Sequence, residues 1–204
     1  SGMPDIFPVK KYAEKLNSLC DQRGIQKTFH HDLVEVDADN KVAIFKDLDS
    51  NELNSVEYDF LHVTPKMGPP DFIKKSLLST EAGWVDVDKD TMQHNHFDNI
   101  FSCGDCSSLP TSKTAAAIRA QVPIMVRNIL SARDDQPLVN YYNGYTSCSI
   151  VTGYGRSMLA EFDYDLSLRE TLPFDQSTER MSMYILKKYI MPKLYWHGML
   201  KGRF

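Results

Sequence analysis

Four cysteines and one acidic residue carry most of the chemistry that this sequence offers. Cys148 stands alone in Gly144-Tyr-Thr-Ser-Cys148-Ser-Ile-Val-Thr-Gly153-Tyr154, an apolar, strand-like stretch closed by a glycine turn. A thiol in such a place is either a small buried hydrophobe or, where its thiolate can be reached, a nucleophile and leaving group for sulfur exchange. Cys103-Gly104-Asp105-Cys106 has the C-x-x-C spacing of a redox dithiol or of half a zinc site. No second such pair and no histidine pair completes a zinc site, so no metal is expected, and the two cysteines are read either as a dithiol or as packing. Between them, Gly104 lets backbone approach a ligand, and Asp105 puts a carboxylate just before Thr111-Ser-Lys113-Thr114-Ala115-Ala116-Ala117, a helix start rich in small residues. A carboxylate accepts from hydroxyl groups, and a bare helix N-terminus favours negative charge. His30 and His31 precede a strand and read as exposed, His94 and His96 sit in a polar loop, and no triad can be assembled from them.

The elements that must position these groups follow from periodicity. Val9, Tyr12, Ala13, Leu16, Leu19 and Cys20 recur at helical spacing over residues 9–23, with Gly24 as the stop. Asp32-Leu-Val-Glu-Val36 and Lys41-Val-Ala-Ile-Phe45, joined by turn residues, predict a hairpin. Tyr58 to Val63 reads as a buried strand stopped by Pro65, Trp84 to Val87 and Ile100-Phe101 as short strands. A helix is expected from near Ser112 to about Leu130, kinked or broken at Pro123, whose missing N–H removes the bond to the carbonyl of Arg119. Tyr145 to Val151 and Ser157 to Tyr164 predict a second hairpin, with Gly153-Tyr-Gly155 as its turn. Past Ser177 the pattern returns to helix, and Pro192 should open a second helix as its N1 residue.

Bulk composition bounds the class. A chain of 204 residues with 42% hydrophobic and 25% charged residues and a net charge of -4 can bury a core and shows no overall signal for nucleic-acid binding. No apolar run nears the roughly 20 residues of a bilayer span. Four unevenly spaced cysteines do not form a secreted disulfide framework, so an intracellular compartment is the default. Charge is uneven: from Ser177 onward Arg180, Lys187, Lys188, Lys193, Lys201 and Arg203 stand against Glu179 alone, a net +5 that leaves the preceding residues at about -9.

Taken in order, the Cys148 segment, Phe101-Ser-Cys-Gly-Asp105-Cys, Thr111 to Ala117, Val9-Lys-Lys-Tyr-Ala13, Leu61-His-Val-Thr-Pro65, Ala82-Gly-Trp-Val-Asp-Val87, Leu159-Ala-Glu-Phe-Asp-Tyr164, Pro173-Phe-Asp-Gln176 and Arg180-Met-Ser-Met-Tyr184 resemble one family along nearly the whole chain. It is that of the eukaryotic, mitochondrial-type sulfide:quinone oxidoreductases. The resemblance implies an α/β fold, part of a flavoprotein with two dinucleotide-binding (Rossmann-like) domains followed by a C-terminal hairpin and amphipathic helices. It implies three segments: 4–66, the end of the second dinucleotide-binding domain; 67–135, the C-terminal segment of the FAD-binding domain; and 136–204, a quinone- and membrane-associating module. The G-x-G-x-x-G turn expected to cradle the FAD pyrophosphate is missing. Gly153-Tyr-Gly155-Arg-Ser-Met158 lacks the third glycine and reads as a hairpin turn. The chain therefore reads as the C-terminal part of a longer enzyme, and alone it should hold FAD weakly or not at all.

By the same resemblance, Cys148 is one of two catalytic cysteines, its partner lying upstream of residue 4. Gly104 and Asp105 meet the ribityl chain of FAD, and Lys113, Thr114, Ala115 and Ala116 approach the flavin ring. Lys113 is equally open to being a solvated first-turn lysine. Glu161 is read chiefly as a solvent-facing strand residue, the other reading being a proton relay to quinone. The implied partners are sulfide, ubiquinone, an acceptor thiol for sulfane sulfur, and a membrane surface met by residues 177–204. The implied location is the mitochondrial inner membrane, peripheral or monotopic. A packing helix on the hairpin, or a dimer contact, is the other reading of that tail. A type II NADH:quinone dehydrogenase-like flavoprotein and a non-catalytic membrane-binding domain remain as alternative functions.

Overall fold

The computed structural model describes residues 1–203, which form two compact units, 1–67 and 68–203. The fold is mixed α/β, and every strand pairing within its named sheets is antiparallel.

The first unit holds α1 (Lys10–Gln22) and a sheet of three strands in the order β1 (His31–Asp37), β2 (Val42–Asp47) and β3 (Leu53–Glu57). α1 buries Tyr12, Ala13 and Leu19 and ends at Gly24, whose φ of 64° lies where glycine is free to go. The first hairpin occurs as expected. The third strand does not: it lies at Leu53–Glu57, not at Tyr58 to Val63, where Phe60 is 86% exposed. The reason lies in the turn. Asp47 Oδ1 accepts from the N–H groups of Asp49 and Ser50, and the Asn51 N–H reaches the Asp47 carbonyl, so the chain reverses at once and the next residues pair with β2. A short polar strand thereby takes the edge that an apolar run was expected to occupy.

The second unit packs Ile73, Val85, Val87, Met92, Leu109 and Tyr142 into its core, with Cys103 and Cys106 against it. Trp84 to Val87 and Ile100-Phe101 form no strands. They contribute single bridges, Val85 to Ser107 and Gln93 to Phe101 among them. After the short helix α2 (Asp71–Lys74) and a 3-10 turn at Gly104–Cys106, α3 spans Ala115–Arg133. It starts at Ala115, not Ser112, because the Thr114 hydroxyl accepts from the Ala117 N–H as its N-cap. α3 runs unbroken through Pro123. Both Pro123 and Arg119 lie on the exposed face, where water can satisfy the carbonyl that the proline leaves unpaired.

The second hairpin, β4 (Thr146–Gly153) and β5 (Arg156–Phe162), turns at Tyr154-Gly155 as expected. Gly144 precedes it at φ 81°, and a Cβ there would lie 2.2 Å from the Tyr164 ring, so only glycine fits. The tail is helical from α4 (Met181–Ile185) through a π turn (Leu186–Ile190) into α5 (Met191–His197). Pro192 sits in the first turn of α5, but no non-helical joint precedes it. The wide turn before the proline accommodates its ring without interrupting the helix.

Candidate functional site

Within the second unit, the residues singled out by chemistry converge on the start of α3 and the strand β4. Gly104, at φ 69°, donates its N–H to Gln121 Oε1 on α3 at 2.9 Å, and a Cβ on it would press on Ile118 at 3.1 Å. This fixes the 3-10 turn to α3 and leaves Asp105 exposed at its tip. The Thr114 cap hydroxyl is hydrogen-bonded to that of Thr146 at 3.0 Å, and Thr146 also donates to the Ser112 carbonyl. α3 and β4 are thus joined end to side, two residues from Cys148.

Cys148 pairs with Ala160 across the hairpin and is half-buried. Burial raises its thiol above the ordinary range, while the Lys187 charge and a hydrogen bond with the Ser112 side chain pull the other way. A thiol so placed needs those polar neighbours to become a nucleophile near neutral pH.

Lys113 is not the solvated first-turn lysine. Its ammonium donates to the Ser107 carbonyl at 2.8 Å and sits 4.1 Å from the centre of the Trp84 ring. Burial lowers its pKa, opposed by Asp105 and Cys106. Ala115 is exposed and Ala116 half-buried, so the first turn of α3 is free of bulk. Cys103 and Cys106 are free thiols that pack on the core, and burial raises Cys103. Cys106 Sγ lies 3.3 Å from Ser102 Oγ and 3.6 Å from the Cys103 carbonyl. No group of metal-ligating side chains forms among the described residues.

Beside the hairpin opens a cavity of about 780 Å³, apolar on most of its wall, between β4, β5, the start of α3 and the tail helices. Tyr145, Glu161 and Arg119 supply polar groups to it, and Trp196, Leu194 and Met199 close it from the tail. Glu161 corrects the expectation of a solvent-facing residue: it is 3% exposed. Its carboxylate accepts from the Tyr145 hydroxyl, from the Thr171 N–H at 2.8 Å and from Gln176 Nε2 at 2.8 Å. Burial would raise its pKa, but these donors outweigh that and hold it below the usual carboxylate range. Tyr145 in turn is pushed upward by burial and by the carboxylate it faces.

Sequence reasoning missed this cluster because β5 is buried on both faces from Ser157 onward, so alternation says nothing about Glu161. Its partners Thr171 and Gln176 arrive on a loop. The one available signal was the presence of several polar side chains between Glu161 and Gln176. His94, placed in a polar loop by sequence, is also buried. Its Nε2 meets the Leu78 carbonyl at 3.1 Å and its Nδ1 accepts from the His96 N–H, so one ring nitrogen serves the loop's own backbone and the other ties the loop to the segment at Leu78.

The tail divides. α4 buries Met183 and packs on β5, with the Arg180 N–H bonded to the Ser157 carbonyl. Beyond it Tyr189, Trp196 and Leu200 are 53%, 62% and 55% exposed among lysines. No helix among the described residues is long and apolar enough to cross a membrane.

Comparison with known proteins bears on the whole chain. No family model matches it. It is 50% identical over 204 residues to the mitochondrial sulfide:quinone oxidoreductase of Dictyostelium discoideum, matching 100% of this chain and 45% of that protein. The mouse (Mus musculus) counterpart is 49% identical over 203 residues, with 99% and 45% covered, and that of Schizosaccharomyces pombe 42% over 204 residues, with 97% and 44% covered. Among solved structures, one chain of the Tetrahymena thermophila mitochondrial ATP synthase cryo-EM structure superposes with a TM-score of 0.80 at 22% identity, over 95% of this chain and 47% of that one, a likeness of fold alone. The chain spans somewhat less than half the length of the curated relatives it matches. From end to end it is similar in sequence to that portion of the mitochondrial sulfide:quinone oxidoreductases.

Proposed function

We propose that this chain is part of a flavoprotein that oxidises sulfide to a persulfide and passes the electrons through FAD to a quinone. The observation that carries the reading is the junction of α3 and β4, which puts Cys148 beside the same helix start that Gly104 and Asp105 flank. The residues fit a flavin: an exposed carboxylate can accept from ribityl hydroxyls, and a capped helix start with small side chains allows close approach of a planar ring. Bound there, FAD would supply a two-electron acceptor that hands its electrons on to quinone.

The chain's own residues have separable tasks. Cys148, paired in a disulfide with a second cysteine, is attacked by sulfide. The S–S bond breaks, one sulfur becomes a persulfide and the other leaves as a thiolate. Ser112 and Lys187 favour the thiolate form of Cys148. Asp105 holds hydroxyls of the cofactor, and Lys113, anchored on Ser107 and Trp84, sets positive potential at the base of the site. The mostly apolar cavity suits a quinone head and the first part of its chain, and the exposed aromatic and basic half of the tail suits a membrane surface from which such a substrate would come. Location at the mitochondrial inner membrane follows as part of the same reading.

The test uses the protein that contains this chain, purified with its flavin. Sulfide should reduce a short-chain ubiquinone analogue and NADH should not. Reduction driven by NADH alone would assign the chain to the NADH:quinone dehydrogenases instead.

A further inference from the structure

The tail does more in this structure than cover a cavity. Lys187, in the π turn that joins α4 to α5, extends to β4 and donates to the Ser149 carbonyl at 2.6 Å. Ser149 follows Cys148 directly. Lys187 also forms part of the cavity wall, so one cation touches both the proposed quinone side and the strand that carries the proposed redox cysteine. Around Cys148 the acting groups come from two elements: Lys187 from the tail and the Ser112 hydroxyl from the loop before α3. Ala160, opposite on β5, is uncharged.

We propose that Lys187 is a positioning residue whose charge, held against β4 by the Ser149 carbonyl, keeps Cys148 in reach of its thiolate form, so that seating of the tail sets the reactivity of the thiol. The inference rests on the reading of Cys148 as one sulfur of the disulfide that sulfide opens, a group whose thiolate form serves as leaving group in that exchange. It adds that the tail is electrically coupled to that chemistry. The step involved is loss of the Cys148 proton to solvent, and no redox equivalent is consumed. Burial works against this ionisation, and Lys187 is the full positive charge acting against burial. Because the thiolate fraction below the pKa changes tenfold per pH unit, even a partial loss of that charge has a visible effect on rate.

Two substitutions separate charge from tethering. Lys187→Gln keeps a donor for the Ser149 carbonyl and removes the charge. Lys187→Arg keeps both. In the 204-residue chain, alkylation by N-ethylmaleimide is followed at the Cys148 peptide by mass spectrometry across pH 6 to 10, roughly the span over which a thiol titrates, with the Cys103 peptide as the reference for general loosening. Lys187→Gln should slow Cys148 labelling at neutral pH by about threefold or more, and leave Cys103 unchanged. Lys187→Arg should label like the wild type. Equal rates in all three chains, or equal slowing in both variants, would overturn the charge role. Should Lys187→Gln loosen the fold and speed Cys103, the wild-type chain still decides: about 1 M salt should move the Cys148 rate profile to higher pH, and an unmoved profile would overturn the proposal. Loss of this coupling leaves the sulfide reading intact. That reading falls instead if flavin reduction by sulfide survives Cys148→Ser.

Discussion

The hydroxyls of Thr114 and Thr146 lie 3.0 Å apart, and this contact ties the cap of α3 to the strand that carries Cys148. Thr146 is fully buried, so its hydroxyl has no water to fall back on. Thr146→Val keeps the shape and β-branching but leaves the Ser112 carbonyl and the Thr114 hydroxyl without this partner. The variant should lose about 1–3 kcal/mol of stability, read as a lower urea midpoint. A midpoint equal to wild type would show that the two elements are held by packing alone.

Glu161 gives a pH-dependent expectation. Its folded pKa lies below the 4.5 of the free side chain, so the unfolded chain binds protons more readily. The stability this carboxylate contributes is therefore fully present above about pH 4.5 and is lost as pH falls through the folded value. Glu161→Gln turns an amide donor toward three donors, Tyr145, Thr171 and Gln176, and should cost about 2–3 kcal/mol at neutral pH. The gap between wild type and variant should narrow below about pH 4.5. Denaturant midpoints measured at pH 7 and near pH 3 check this, and a gap that stays constant would mean that the carboxylate is not ionised in the fold.

For the tail, charge and apolar surface should act together. Each lysine near an anionic bilayer contributes on the order of 1 kcal/mol, and exposed Trp196 and Leu200 add a salt-insensitive part. Binding to anionic vesicles should weaken at high salt without vanishing. Replacing Lys188, Lys193 and Lys201 by Gln should remove the salt-sensitive part, and Trp196→Ser with Leu200→Ser the remainder. Vesicle sedimentation unchanged in the combined variant would place the membrane contact elsewhere.

What was legible in the sequence divides along physical lines. The two hairpins, α1 and the span of α3 showed in periodicity and turn residues, because each is specified locally. The Thr114 cap was not read as such, although a Thr followed by a run of alanines is a helix start. Strand β3 was misplaced because an apolar run, Tyr58 to Val63, outweighed a tight Asx turn in which Asp47 recruits the next polar residues into the sheet. The position of Cys148 in β4 was readable, since the run from Tyr145 to Val151 predicts the strand that holds it, while a cysteine there is by itself an ordinary buried side chain and only the family motif singled it out. Its environment was not: Ser112 and Lys187 lie 36 residues before and 39 after it, and nothing local records that they meet. Glu161 illustrates the same limit, because in a strand buried on both faces a charged residue gives no period to follow.

The central claim is that Cys148 performs sulfur chemistry and does not support the cofactor. Its most direct test is stopped-flow reduction of the flavin by sulfide in the full protein bearing Cys148→Ser. The variant should retain its flavin spectrum, because none of the contacts at Gly104, Asp105 or the start of α3 runs through the thiol. Rapid bleaching by sulfide should be gone. A variant that bleaches as fast as the wild type would contradict the account, and the thiol at the head of β4 would then be a buried small side chain and nothing more.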